Sequence, residues 1–127
     1  MAKTVILTPD APQPVSAYSQ AIRSGSHLFL AGQIPLDPVT GQVLSGTIGE
    51  ETDRVMANVR AVLSAAGATF EQVVKTTVYL TNMADFAAFN EAYARYFPSQ
   101  PPARSTVAVL ALPLGVRVEV EAIAVLS

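Results

Sequence analysis

The chain has 127 residues, eight Lys plus Arg against ten Asp plus Glu, one His and no Cys, for a net charge of −2. That length suits one domain spanning residues 1–127 with a single core, and the missing cysteines exclude disulfides, thiolate catalysis and Cys-based metal sites. The lone His27 rules out a histidine metal cluster, and eight scattered basic residues supply no basic stripe, which weighs against nucleic acid as a partner.

The segment MAKTVILTPDAPQP carries one Lys, a short apolar patch and then prolines. It reads as a proline-rich arm and not as a secretory leader, which with the lack of cysteine points to a cytoplasmic protein. No later run approaches the roughly 18 apolar residues of a membrane span. Gln20 to Arg23 and His27 to Gln33 flank Ser24-Gly25-Ser26, the pattern of a β-hairpin with a short glycine loop. Pro35, Asp37-Pro38 and Thr40-Gly41 mark turns. In IGEETDRVMANVRAVLSAAGA, Val55, Met56, Val59, Val62, Leu63 and Ala66 recur at helical spacing, with Glu50, Glu51 and Asp53 near the start and Gly67 past the end. VVKTTVYLT (73–81) is β-branched and aromatic, hence a strand. Asn82 can cap a second helix through MADFAAFNEAYARYF, with Phe86, Phe89, Tyr93 and Phe97 as its stripe and Pro98 as its stop. Residues 103–110 and 116–126 are strands joined through Leu112-Pro113-Leu114-Gly115. The order ββ(β)αβαββ makes an α+β fold, a five- to six-stranded mixed sheet with two helices on one face.

Two helices can cover only one face of such a sheet. In the last strand Val118, Val120, Ala122, Ala124 and Leu126 are all apolar, while the alternate set runs Arg117, Glu119, Glu121 and then Ile123 and Val125. A sheet this apolar on both sides is expected to bury its second face against another copy of the chain.

Candidate chemistry rests on a few side chains. Arg104 sits in SQPPARSTV, at the mouth of an uncharged run. Its planar fork suits a carboxylate, although from this segment alone a solvated strand end or a structural ion pair is the commoner case. Glu119 and Glu121, at i and i+2, could hold a water or act as acid and base, or one could pair with Arg117 or Arg104. Tyr18 lines a cleft or packs its arm on the core, and Asn90 in the second helix implies a specific hydrogen bond. His27 reads as an ordinary hairpin residue. Gly32 in LAGQIP permits close backbone approach or marks a bulge.

Together AGQIPLDPVTG (31–41), NVRAVLSAAGA (58–68), VVKTTVYLTNMADFAAFNEAYARYF (73–97), PPARSTV (101–107) and LPLGVRVEVEAIAV (112–125) resemble the RidA/YjgF family of small imine deaminases over nearly the whole chain. The resemblance implies a chorismate-mutase-like fold, a homotrimer with its clefts at subunit interfaces, and no metal or cofactor. It implies that 2-imino acids such as 2-iminobutanoate and 2-iminopropanoate are hydrolysed to 2-keto acids and ammonia. Arg104 is then the carboxylate clamp, Glu119 the residue that orients or activates water, Tyr18 and Gly32 cleft-lining positions and Asn90 a neighbour of the site. Ala31 stands in the substrate-binding stretch where the family commonly has Ser, Ser16-Ala17 where it commonly has Gly-Pro, and Thr106 where a Cys is frequent. Two rival expectations stand beside this one. The first is an endoribonuclease that inhibits translation, an activity also attributed to parts of the family. The second is a non-catalytic small-acid binder or chaperone-like trimer, expected if Ala31 and the Ser16-Ala17 arm disable the cleft.

Overall fold

The computed structural model describes residues 3–127. Its elements are β1 (Thr4–Ile6), β2 (Ala21–Ser24), β3 (His27–Gln33), α1 (Ile48–Ala65), β4 (Val73–Leu80), α2 (Phe86–Ala94), β5 (Ala103–Ala108) and β6 (Val118–Val125). They form one six-stranded sheet in the order β1-β2-β3-β6-β4-β5. All neighbours are antiparallel except β4 and β5, which run parallel because α2 carries the chain back across the sheet between them. Among the described residues no helix is long and apolar enough to cross a membrane.

The expected hairpin forms with Ser24 opposite His27 and Gly25 at φ +60°, a left-handed turn conformation that glycine adopts freely. The helix beginning near Ile48 starts with a reciprocal cap: Glu50 N donates to Thr47 Oγ1 at 3.1 Å and Thr47 N donates to Glu50 Oε1 at 2.8 Å. Buried Asn58 on α1 donates to the carbonyls of Ile34 and Leu36 at 3.0 and 2.9 Å, and so ties down the loop after β3.

Several boundaries differ from the sequence pattern. The bracketed strand lies at the N-terminus, in the TVI patch, and pairs Thr4–Ile6 with Ala21–Arg23. Where the pattern left room for it after the hairpin, there is only the single bridge Leu36–Val43. Asn82 caps a 3₁₀ turn, Met83–Asp85, and α2 itself starts at Phe86 and stops at Ala94, four residues before Pro98. Beyond Leu80 and Ala108 the β4–β5 ladder continues only as the bond from Val109 N to Leu80 O. The last strand starts at Val118, because Pro113–Gly115 turns sharply and only Thr81 N, donating to Arg117 O, joins the approach.

One face of the sheet is closed within the chain. Leu28, Leu30, Val78, Leu80, Val118, Val120, Ala122 and Ala124 are 5% exposed or less, packed in one core with Val55, Met56, Val59, Val62 and Phe89 of the helices. The other face carries Val5, Phe29, Val107 and Val125 at 57%, 45%, 43% and 37% exposure. The uncovered apolar face anticipated from strand alternation is therefore present.

Candidate active site

Arg104 projects from β5 onto the helix-covered face, since its register partner on β4 is Thr76, which is buried there. Residues of α2 spaced at three and four meet it. Its Nη1 donates to Asn90 Oδ1 at 2.8 Å, and its Cζ lies 5.3 Å from the Phe86 ring centre and 5.0 Å from that of Tyr93. Both rings attract the cation through their π faces. Tyr93 is fixed in turn from below, its hydroxyl 2.7 Å from Thr76 Oγ1, and burial pushes its phenol pKa up. Among the described residues neither ion pair, Arg95–Asp53 or Arg117–Glu51, involves Arg104. Its guanidinium thus borders a cleft of about 350 Å³ with Phe97, Pro101 and Pro102, held in orientation and without a carboxylate of its own. One pleat further along the same face, Thr106 buries its hydroxyl oxygen without a partner.

Glu119 occupies a second cleft, of about 640 Å³, with Tyr18, Ala31 and Gly32. It lies opposite Tyr79 on β4, on the face that no helix covers. Gly32 matters here through size: a Cβ built on it would stand 1.9 Å from Glu119 Oε2 and 2.7 Å from Cδ. Only a residue without a side chain lets the carboxyl lie against the β3 backbone. Burial chiefly, and the nearby negative charge of Glu121 next, raise the pKa of Glu119 above the usual glutamate value. Glu121 accepts a hydrogen bond from the Tyr79 hydroxyl, and mainly through that bond the Tyr79 pKa is pushed up to about 12. The arm carrying Tyr18 is anchored by wholly buried Gln20, whose Oε1 accepts from Thr8 N at 2.7 Å and whose Nε2 donates to Thr8 O at 3.0 Å and Pro12 O at 2.9 Å.

The sequence-derived residues therefore fall into two groups. Arg104 and Asn90 share one cleft, while Glu119, Tyr18, Gly32 and Ala31 share the other. Thr76 and Tyr79, the register partners of Arg104 and Glu119, are three residues apart on β4, an odd step that puts the two side chains on opposite faces. Within one chain Glu119 is thus not the neighbour of Arg104. Nor does Arg117 pair with Glu119 or Glu121; it binds Glu51 of α1 instead, with Nη2 also donating to Gly46 O at 2.7 Å. Sequence reasoning overlooked Tyr79 and the cradle beneath Arg104. The signal for the cradle was present, as Phe86, Asn90 and Tyr93 lie on one side of α2 and Phe97 follows it at the same spacing, but an aromatic stripe reads first as core.

Comparison with known proteins identifies the family. The family model described as Endoribonuclease L-PSP matches residues 8–126. A RutC family protein of Pyrococcus abyssi is 52% identical over 124 residues, covering 98% of each chain. The mouse protein named 2-iminobutanoate/2-iminopropanoate deaminase is 46% identical over 123 residues, 97% of this chain and 91% of its own. Among solved structures, Escherichia coli TdcF with bound serine superposes with a TM-score of 0.93 at 38% identity, covering 98% of this chain and 99% of its own. A full-length match in sequence and in fold leaves one conclusion: the chain belongs to the RidA/YjgF family, whose family model bears the L-PSP description.

Proposed function

We propose that the chain is a deaminase that hydrolyses 2-imino acids to 2-keto acids and ammonia, as a cytoplasmic homotrimer in which the Arg104 cleft of one subunit faces the Glu119 cleft of the next. The observation that carries this reading is the separation of the two groups. A braced guanidinium with no carboxylate partner lies on one face of the sheet, and a half-buried carboxyl with a raised pKa lies on the other. The exposed apolar residues on the Glu119 face support a subunit contact there. The name borne by the mouse relative, and serine bound to TdcF, support a small amino-acid-like ligand.

The chemistry asks little of the protein. In the sequence R–C(=NH)–COO⁻ + H₂O → R–CO–COO⁻ + NH₃, the imine carbon is already electrophilic. Arg104 binds the carboxylate through two parallel hydrogen bonds and orients C2. Glu119 accepts a proton from water as the water oxygen bonds to C2 and passes it to the nitrogen, which gives a carbinolamine. The carbinolamine hydroxyl then gives up its proton, which reaches the nitrogen as the C–N bond breaks, C2 becomes the ketone and ammonia leaves. The raised pKa of Glu119 suits both halves of that exchange. The reading requires no metal or cofactor.

The test follows the decay of 2-iminobutanoate formed in situ by a dehydratase. Arg104→Ala should lower kcat/KM about a hundredfold or more while the oligomer keeps its size on a sizing column. Undiminished turnover by that variant overturns the assignment. The ribonuclease reading attached to the family description survives only if rigorously purified protein cleaves RNA and Arg104→Ala or Glu119→Gln abolishes the cleavage.

A further inference from the structure

Within one chain, two apolar side chains stand uncovered at the rim of the Glu119 cleft. Val15 of the arm is 92% exposed and Leu114 of the turn before β6 is 71% exposed, and both line that cleft beside Gly32 and Glu119. Neither belongs to the core. Leu114 moreover holds φ +57° and ψ 19°, a left-handed conformation that crowds the Cβ of any residue but glycine. Among the described residues only Gln100 shares that property outside glycine. Backbone strain retained beside a cleft, in a side chain that contributes nothing to the core, points to a role in binding.

The space behind these residues is large for the smallest substrates. 2-Iminopropanoate has six heavy atoms and fills less than about 200 Å³ even at the ~30 Å³ each that a water molecule takes in the liquid. The Glu119 cleft alone measures about 640 Å³. Half-buried Ile34 and Leu36, whose carbonyls accept from Asn58, also line it, and Ala31 adds a methyl group. Carbon C2 of a 2-imino acid bears three groups. Arg104 takes the carboxylate, and the polar end of the Glu119 cleft serves the nitrogen and the water. The third group, the side chain, is the one that an apolar wall would receive.

We infer that Val15 and Leu114 form an apolar subsite for the substrate side chain, so that the protein prefers 2-imino acids with branched or long apolar side chains to 2-iminopropanoate. This rests on the deaminase reading above. The specificity ratio of interest is kcat/KM for 2-imino-4-methylpentanoate over kcat/KM for 2-iminopropanoate, each generated in situ by an L-amino acid oxidase from leucine or alanine. The wild type should show a ratio above one. Leu114→Asn keeps the side-chain size and tolerates the left-handed backbone, so it isolates polarity from strain; it should lower the ratio about tenfold, and Val15→Ser combined with it further.

An unchanged ratio in the double variant overturns the inference. Breakdown of the oligomer in Leu114→Asn also overturns it, since that would make Leu114 a subunit contact. A wild-type protein that processes 2-iminopropanoate but not the branched imine refutes the subsite and leaves the deaminase reading standing. One that processes neither refutes the deaminase reading itself.

Discussion

The two faces of the sheet are built from the same strands by the same alternation, yet they reach completion differently. On the helix-covered face, Leu28, Val78 and Val120 vanish into a core that the chain closes by itself, and Arg104 at its margin is already braced by Asn90, Phe86 and Tyr93. On the other face, Phe29 and Val107 remain uncovered, and Glu119 and Glu121 stand in a row beside Tyr79, which lies opposite the first and donates to the second. A cation needs a rigid cradle to read a carboxylate's geometry, and a helix packed on the sheet supplies one. A carboxyl that must trade protons needs partial burial, which an open face provides only in part until something covers it. The division thus separates the guanidinium proposed to bind the substrate from the carboxyl proposed to transfer protons, and the proposed assembly reunites them.

The largest expected effect breaks that comparison at two adjacent residues of β3. Leu28→Ala should cost about 3 kcal/mol of stability in chemical denaturation, within the usual 2–5 kcal/mol for a buried leucine, because Leu28 has no exposed surface. Phe29→Ala, one residue on and pointing the other way, should leave the fold within about 1 kcal/mol but split the oligomer into smaller species by light scattering. If Phe29→Ala retains the full assembly, the open face is not the subunit contact.

How far the sequence discloses this arrangement depends on what each feature requires. The 3.6-residue period of α1, the glycine hairpin and the alternation in β6 are local, and each is visible in its own segment. The edge strand β1 is not, since three residues followed by prolines give too short a pattern to count. The site residues were recognisable one at a time, by residue type and by family resemblance. Their distribution over two faces was not, because alternation within β5 or β6 fixes sides only relative to that strand. Placing Arg104 and Glu119 opposite each other needs the register of both strands against β4, where their partners are Thr76 and Tyr79. Likewise the tie between α1 and the residue just before β6 depends on Glu51 finding Arg117, a contact 66 residues apart in sequence.

A smaller effect sharpens the account of the Glu119 side. Gly32→Ala would place a Cβ 1.9 Å from Glu119 Oε2. The obstructed atom is the end of a flexible side chain, so the chain can relieve the clash by swinging the carboxyl away. Melting should therefore change little, whereas kcat should fall about a hundredfold, the usual consequence of displacing a catalytic group by about 1 Å. Wild-type kcat in Gly32→Ala would mean that the carboxyl need not lie against β3 during turnover.

The smallest effect lies in the thermal stability of Glu119→Gln as a function of pH. Burial first, and repulsion from Glu121 second, raise the Glu119 pKa in the folded chain. The native state therefore keeps this proton to higher pH than the unfolded chain, whose value is near the ordinary 4.5. Stability falls as pH rises from that value through the folded one, and above both the charged carboxylate remains a standing cost. Glutamine has no charge to desolvate, so Glu119→Gln should melt above the wild type at pH 7, with the gap closing as the pH drops below 4.5. A gap independent of pH would mean that the carboxyl is not desolvated at all. Repeating the series in an Arg104→Ala background connects the two faces. If the guanidinium of one subunit faces the carboxylate of the next, removing it deprives Glu119 of its compensating cation and the gap at pH 7 widens. If the two never meet, Arg104→Ala leaves the gap as it was, because within one chain the sheet stands between them.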